Sequence, residues 1–150
     1  MNKSLFEAYF FTHHHKLPLS GEDVSKIKKM KVVISGSRSI QSLNAEMKSR
    51  LNKLIKLNSE ILIGDAYGID SLVQAYLYSC NYQKVTVFYS RVLRNNIGGW
   101  KTVNVLGGYT KRDIAMHSQA DYALAIWDGK SRGTKRNIEQ MKDKVRVVLG

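Results

Sequence analysis

The sequence predicts an α/β fold: a Rossmann-like three-layer sandwich whose five-stranded, mainly parallel sheet carries helices on both faces. Three observations support that expectation. Five short runs, "KVVIS" (31–35), "EILIG" (60–64), "KVTVF" (84–88), "YALAIW" (122–127) and "KVRVVL" (144–149), are nearly continuous in apolar residues, as strands buried on both faces are. Helix-period stretches lie between them, and strands alternating with helices imply crossovers that build a parallel sheet. The junctions after the strands gather glycines, hydroxyls and charges at the sheet end where ligands settle in such folds.

Taken in order, the first thirty residues form an extension that packs on or links to a core spanning 31–150. Within it "LFEAYFF" suits a short helix or strand laid against the sheet, and "KLPLSGED" holds the only proline and reads as a connection. The triplet "HHH" at 13–15 points in three directions on any regular element, so a structural or surface role is expected and no metal site is assigned. After the first strand a helix is expected from near Ile40, with Leu43, Met47, Leu51 and Leu54 on one face. After the second, Ile69, Leu72, Val73 and Tyr76 repeat the rule. Residues 89–109 lack periodicity and read as a long functional loop, a candidate lid. In "YTKRDIA", Thr110 and Asp113 have capping-box spacing, placing a helix start near Lys111. A last helix, capped by Ser131 or Thr134, presents Ile138 and Met141 to the core.

Composition narrows the class. At 150 residues with 43% apolar content, one good core is expected. No apolar run is long enough for a membrane span, and the N-terminus lacks the order of a secretory signal, so a cytoplasmic protein is expected. The lone Cys80 excludes an internal disulfide and reads as a small packing residue. Lys and Arg number 24 against 12 Asp and Glu, an excess that suits an anionic partner or simply a solvated basic surface.

Three junctions carry the chemistry. In "SGSRSI" Gly36 permits a tight turn, Ser37 and Ser39 offer hydroxyls, and Arg38 offers a guanidinium, a combination that suits phosphate at a helix start. In "GDAYGID" Gly64 and Gly68 allow close approach, and Asp65 and Asp70 suit ribose hydroxyls. Asp70 also suits a helix cap, and Tyr67 either stacks on a base or covers the core edge. In "WDGKSRGT" Gly129 and Gly133 free the backbone, Ser131 and Thr134 give hydroxyls, and Lys130 and Arg132 give charge beside Asp128. The glycine spacing of a triphosphate-hydrolysing loop is absent. Arg112, a cation in a helix's first turn, opposes the helix dipole and so calls for Asp113, Asp121 or a bound anion as partner. His117, one turn on, reads as a packed or surface histidine.

"GSRS", "GDAYGID" and the continuous "TKRDIAMHSQADYALAIWDGKSRGT" resemble the SLOG superfamily, named for the SMF DNA-processing proteins and the Lonely-guy enzymes, and most of all its small YspA-related branch. The resemblance covers 31 to about 149 and implies a nucleotide pocket built on Gly36, Ser37, Arg38, Gly64, Asp65, Gly68, Asp70, Ser131, Gly133 and Thr134. The Lonely-guy phosphoribohydrolases place a catalytic glutamate three residues after the threonine, where this chain has Asn137, and an amide cannot perform a carboxylate's acid/base work. Glu139 lies about 200° further round a helix and is expected to face elsewhere.

The leading expectation is therefore a cytoplasmic binder of a nucleotide or nucleotide-derived small molecule, acting as sensor, sequestering protein or carrier without a cofactor. A nucleotide N-glycosidase and a DNA- or RNA-binding protein are the alternatives. A homodimer or higher homo-oligomer is compatible with the fold, and a membrane partner is not expected.

Overall fold

The structure, a computed structural model, describes residues 2–11 and 30–150. The expectations for "HHH" and "KLPLSGED" lie outside the described residues. A six-stranded, wholly parallel sheet has the order β4-β3-β2-β1-β5-β6, with β1 Lys31–Gly36, β2 Glu60–Gly64, β3 Val85–Tyr89, β4 Lys101–Asn104, β5 Tyr122–Trp127 and β6 Val145–Leu149. The five expected strands are present, and the sixth corrects the count. β4 pairs with β3 from Thr86↔Lys101 to Tyr89↔Asn104, inside the stretch that reads as a loop in the sequence. As an edge strand it is largely exposed and has no apolar run to announce it.

Helices α1 (Asn2–Phe11), α2 (Ala45–Lys56) and α3 (Ile69–Ser79) cover one face, and α4 (Tyr109–Ser118) and α5 (Arg132–Met141) the other. Alternation along β1 divides the core: Val32 and Ile34 meet Met47, Leu51, Leu54, Ile69 and Val73, whereas Val33 meets Met116 and Met141. In α1, Phe6 and Phe10 are buried, and the Phe6 ring stacks on Tyr122 at 4.8 Å between centroids. The extension thus contributes aromatic area to the main core.

Several helix starts differ from expectation for local reasons. α2 begins at Ala45, not near Ile40, because Asn44 caps it: its side chain accepts from the Met47 amide at 2.9 Å. α3 and α4 start after Gly68 and Gly108, and neither has a side-chain cap. The Thr110–Asp113 capping box therefore does not form, and Asp70 does not cap α3. Ser131 occupies the N-cap position of α5, but its side chain makes no capping bond. Cys80 is exposed at the end of α3, so the expectation that it packs in the core is also corrected.

The sheet order reverses between β1 and β5, which are hydrogen-bonded neighbours whose succeeding helices cover opposite faces. A crevice must open where their exit loops diverge. Ser37 N–H donates to the Ile126 carbonyl at 2.9 Å, extending the β1–β5 pairing to the lip of that crevice.

Candidate functional site

A pocket of about 300 Å³ occupies this switch point. Of the residues singled out in the sequence, Gly36, Ser37, Arg38, Ser39, Asp70, Arg112, Asp128, Ser131, Gly133, Thr134 and Asn137 line it. Gly64, Asp65, Tyr67, Gly68, Gly129, Lys130 and Arg132 are not among its lining residues. Tyr67 is 63% exposed and covers no core edge, while Gly129, Lys130 and Arg132 face solvent.

The first and third junctions are tied by their hydroxyls. Ser37 Oγ and Ser131 Oγ lie 2.6 Å apart, the Asp128 amide donates to Ser37 Oγ at 3.0 Å, and Ser39 Oγ donates to Asp128 Oδ2 at 2.7 Å. The other Asp128 oxygen accepts the amides of Lys130 and Ser131, each at 2.8 Å. Bonds from the Ser39 hydroxyl and these amides hold the Asp128 carboxyl well below the usual carboxylate range. This carboxylate organises the loop and is fully engaged by it. Because Ser131 turns its hydroxyl toward Ser37 and Asp128 instead of capping α5, the first-turn amides of that helix receive no side-chain acceptor. Gly133 and Thr134, both in this first turn, line the pocket.

The glycines serve packing more than ligand approach. A Cβ on Gly36 would lie 2.6 Å from the Ile126 carbonyl, and one on Gly68, whose φ is +78°, would lie 2.4 Å from the Arg38 Cα. Gly68 therefore lets the second junction seat against the first. A Cβ on Gly64 would meet Asp70 Oδ2 at 2.6 Å and Arg112 Cζ at 2.9 Å, so its absence makes room for buried charges over the end of β2.

Those charges form the pocket's inner wall. Arg112 donates through Nη1 to Asp65 Oδ1 at 2.7 Å, and through Nε and Nη2 to Asp113 Oδ1 at 3.0 and 2.7 Å. Of the two carboxylates expected beside Arg112, Asp113 is its partner and Asp121 is not, since Asp121 accepts the Lys31 amide at 2.9 Å. Asp65 also accepts from Arg94, at 2.8 Å from the guanidinium and 2.9 Å from the amide. Burial would raise the Asp65 pKa, but the Arg94 bonds and the charges of Arg94 and Arg112 hold it below the ordinary value. Asp65 is thus a buried counter-ion, not a group free to accept a ribose. Asp70 differs: burial pushes its pKa up to about 7, against the opposing charge of Arg112, while its Oδ2 accepts the Ala66 amide at 3.0 Å.

Arg94, Tyr109, Thr110, Asp113 and Arg136 also line the pocket, and their local sequence does not assign them to it. Arg94 stacks over the Tyr109 ring at 4.0 Å from its centroid. It stands on the segment expected to be a lid, which is anchored as a wall: the Ile97 amide donates to Gln74 Oε1 at 2.9 Å, and Asn95 Nδ2 donates to Ser71 Oγ at 2.7 Å. The one signal for Arg94 is its place, on the exit of β3 at the sheet end that the three junctions share. Asn137 is buried, its Nδ2 lying 3.4 Å from Asp113 Oδ2, so a carboxylate from α4 stands beside the amide. Glu139 is exposed and is absent from this lining. His117 is packed, with Nδ1 2.8 Å from the Asp113 carbonyl and Nε2 3.3 Å from Ser35 Oγ; burial lowers its pKa.

The fold and this crevice define a Rossmann-like α/β protein with an arginine-walled pocket at its switch point. Neither protein-family models nor curated proteins gave a match to the chain. No helix among the described residues is long and apolar enough to cross a membrane.

Proposed function

We propose that the pocket binds a nucleotide or nucleotide-derived anion, and that the chain acts as a sensor, sequestering protein or carrier. The observation that carries this reading is the uncapped start of α5 beside Thr134, Ser37 and Arg38, directly at the β1/β5 switch point. Backbone donors and the helix dipole there favour negative charge, and hydroxyls and a guanidinium add directed contacts. Arg112 presents further N–H groups on the inner wall, and its two carboxylate partners fix its plane before any ligand arrives. The resemblance of "GSRS", "GDAYGID" and "AIWDGKSRGT" to the SLOG superfamily supports the same reading.

Arg38→Ala and Thr134→Ala should each weaken binding of the preferred ribonucleoside 5′-monophosphate by about 1–3 kcal/mol, the scale of a lost hydrogen bond to a charged group. Titration calorimetry of the two folded variants checks this, and unchanged affinity in both would refute a shared pocket. A second reading, nucleotide N-glycosidase, is favoured by one feature: Asp70 lines the pocket with a pKa near the working range of a general acid or base. Release of free base from ribonucleoside monophosphates by the unmodified protein would select it.

A further inference from the structure

The pocket does not end at Asn137. A second cavity, of about 500 Å³, lies in the furrow between α4 and α5, and Thr110, Asp113, Arg136 and Asn137 belong to the walls of both. The partition between them is slight: Arg136 Nη2 donates to Thr110 Oγ1 at 3.3 Å, an exposed contact between exposed side chains. Swinging Arg136 outward costs about one neutral-acceptor hydrogen bond at a wet surface, which is little. Beyond it the furrow is crossed again by Gln140, whose Nε2 donates to the Ile114 carbonyl at 3.1 Å, closing its far end.

The two cavities differ in chemistry. The switch-point pocket has the first turn of α5 and four arginines, Arg38, Arg94, Arg112 and, on the partition, Arg136, against the three carboxylates of Asp70, Asp113 and Asp128. The furrow beyond Arg136 adds Glu139, Gln140 and the 52%-exposed Ile114. Among the described residues Glu139 has no hydrogen bond or ion pair, so its carboxylate faces solvent as an unspent acceptor. An anion suits the first cavity, whereas in the furrow Asp113 and Glu139 outnumber Arg136, so a hydrogen-bond-donating or cationic group with a short apolar stem is favoured there.

We propose that the furrow between α4 and α5 is the second half of the binding site, and that the ligand is a phosphodiester-type nucleotide conjugate whose phosphate carries a donor-bearing or cationic group lying along α5 toward Glu139. This rests on the proposed nucleotide reading of the first cavity. With a rise of 1.5 Å and a turn of about 100° per residue, Glu139 lies about 7.5 Å along α5 and about 140° round it from Thr134, so a flexible chain such as a five-carbon amine esterified to a phosphate held there is needed to bridge the two.

The test is titration calorimetry of the full chain with the four ribonucleoside 5′-monophosphates and their 5-aminopentyl phosphodiesters. The preferred ester should bind roughly tenfold tighter than its parent monophosphate, the worth of one charge-assisted hydrogen bond. Glu139→Gln and Ile114→Arg, both at exposed positions outside the first cavity, should abolish that gain and leave monophosphate affinity unchanged. Esters that bind no tighter than monophosphates, or a gain that survives both substitutions, would overturn the furrow while leaving the first cavity's role intact. Binding of none of the eight probes would overturn both.

Discussion

Replacing Asp65 with asparagine is expected to destabilise the fold by about 3 kcal/mol, because it strips the shared counter-ion from two arginines at once. The Asp65 side chain is fully buried, and Arg112 and Arg94 reach the same oxygen from α4 and from the β3–β4 connection. Asparagine keeps the size of the side chain and loses the charge, so Arg94 loses its carboxylate partner and keeps its stacking on Tyr109, while Arg112 keeps Asp113. The pH dependence has a definite sign. The folded pKa of Asp65 lies below its unfolded value, so its contribution is full above the ordinary carboxylate range and is lost as pH falls through the folded value. Urea unfolding of the two proteins should therefore differ most above about pH 4 and converge under stronger acid. Equal midpoints at neutral pH would show that the cluster is not what holds the inner wall.

Gly68→Ala should cost at least about 2 kcal/mol and take ligand binding with it. The left-handed φ of +78° is one contribution, and the other is a collision with backbone, the Arg38 Cα at 2.4 Å and its carbonyl oxygen at 2.6 Å. Neither atom moves without shifting the first junction away from Ser131. Gly129→Ala separates the two effects, since Gly129 has a φ of +79° and nothing within 4 Å of an added Cβ. That variant should lose only the conformational part, about 1 kcal/mol, with the pocket intact. Chemical denaturation of the pair measures the difference, and equal losses would mean that the close seating of the two junctions contributes nothing.

How legible each part of this molecule is in its sequence depends on the range over which that part is determined. Runs such as Ile61–Leu62–Ile63 declare a strand buried on both faces by themselves, and Gly36, Ser37 and Thr134 stand at strand exits where the fold class directs attention. β4 is silent because Lys101, Thr102 and Asn104 are exposed and only partly buried Val103 carries an apolar signal. Its pairing with β3 supplies what its own residues do not. The start of α4 departs from the capping-box spacing of Thr110 and Asp113 because Asp113 spends its carboxylate on the Arg112 guanidinium. Arg94 joins the site through Asp65, 29 residues away, and no local pattern encodes that partner. Asp70 has the position of a cap, close after Gly68, but its carboxylate turns back to the Ala66 amide.

Whether an anionic nucleotide is held where β1 and β5 diverge is tested by recording backbone amide resonances during titration with ribonucleoside 5′-monophosphates. Saturable shifts are expected at Arg38, Gly133 and Thr134, the residues at the uncapped start of α5 and its facing junction. Shifts confined to the lysine-bearing outer side of α2, where Lys48 and Lys56 are exposed, with none at Gly133 or Thr134, would contradict it.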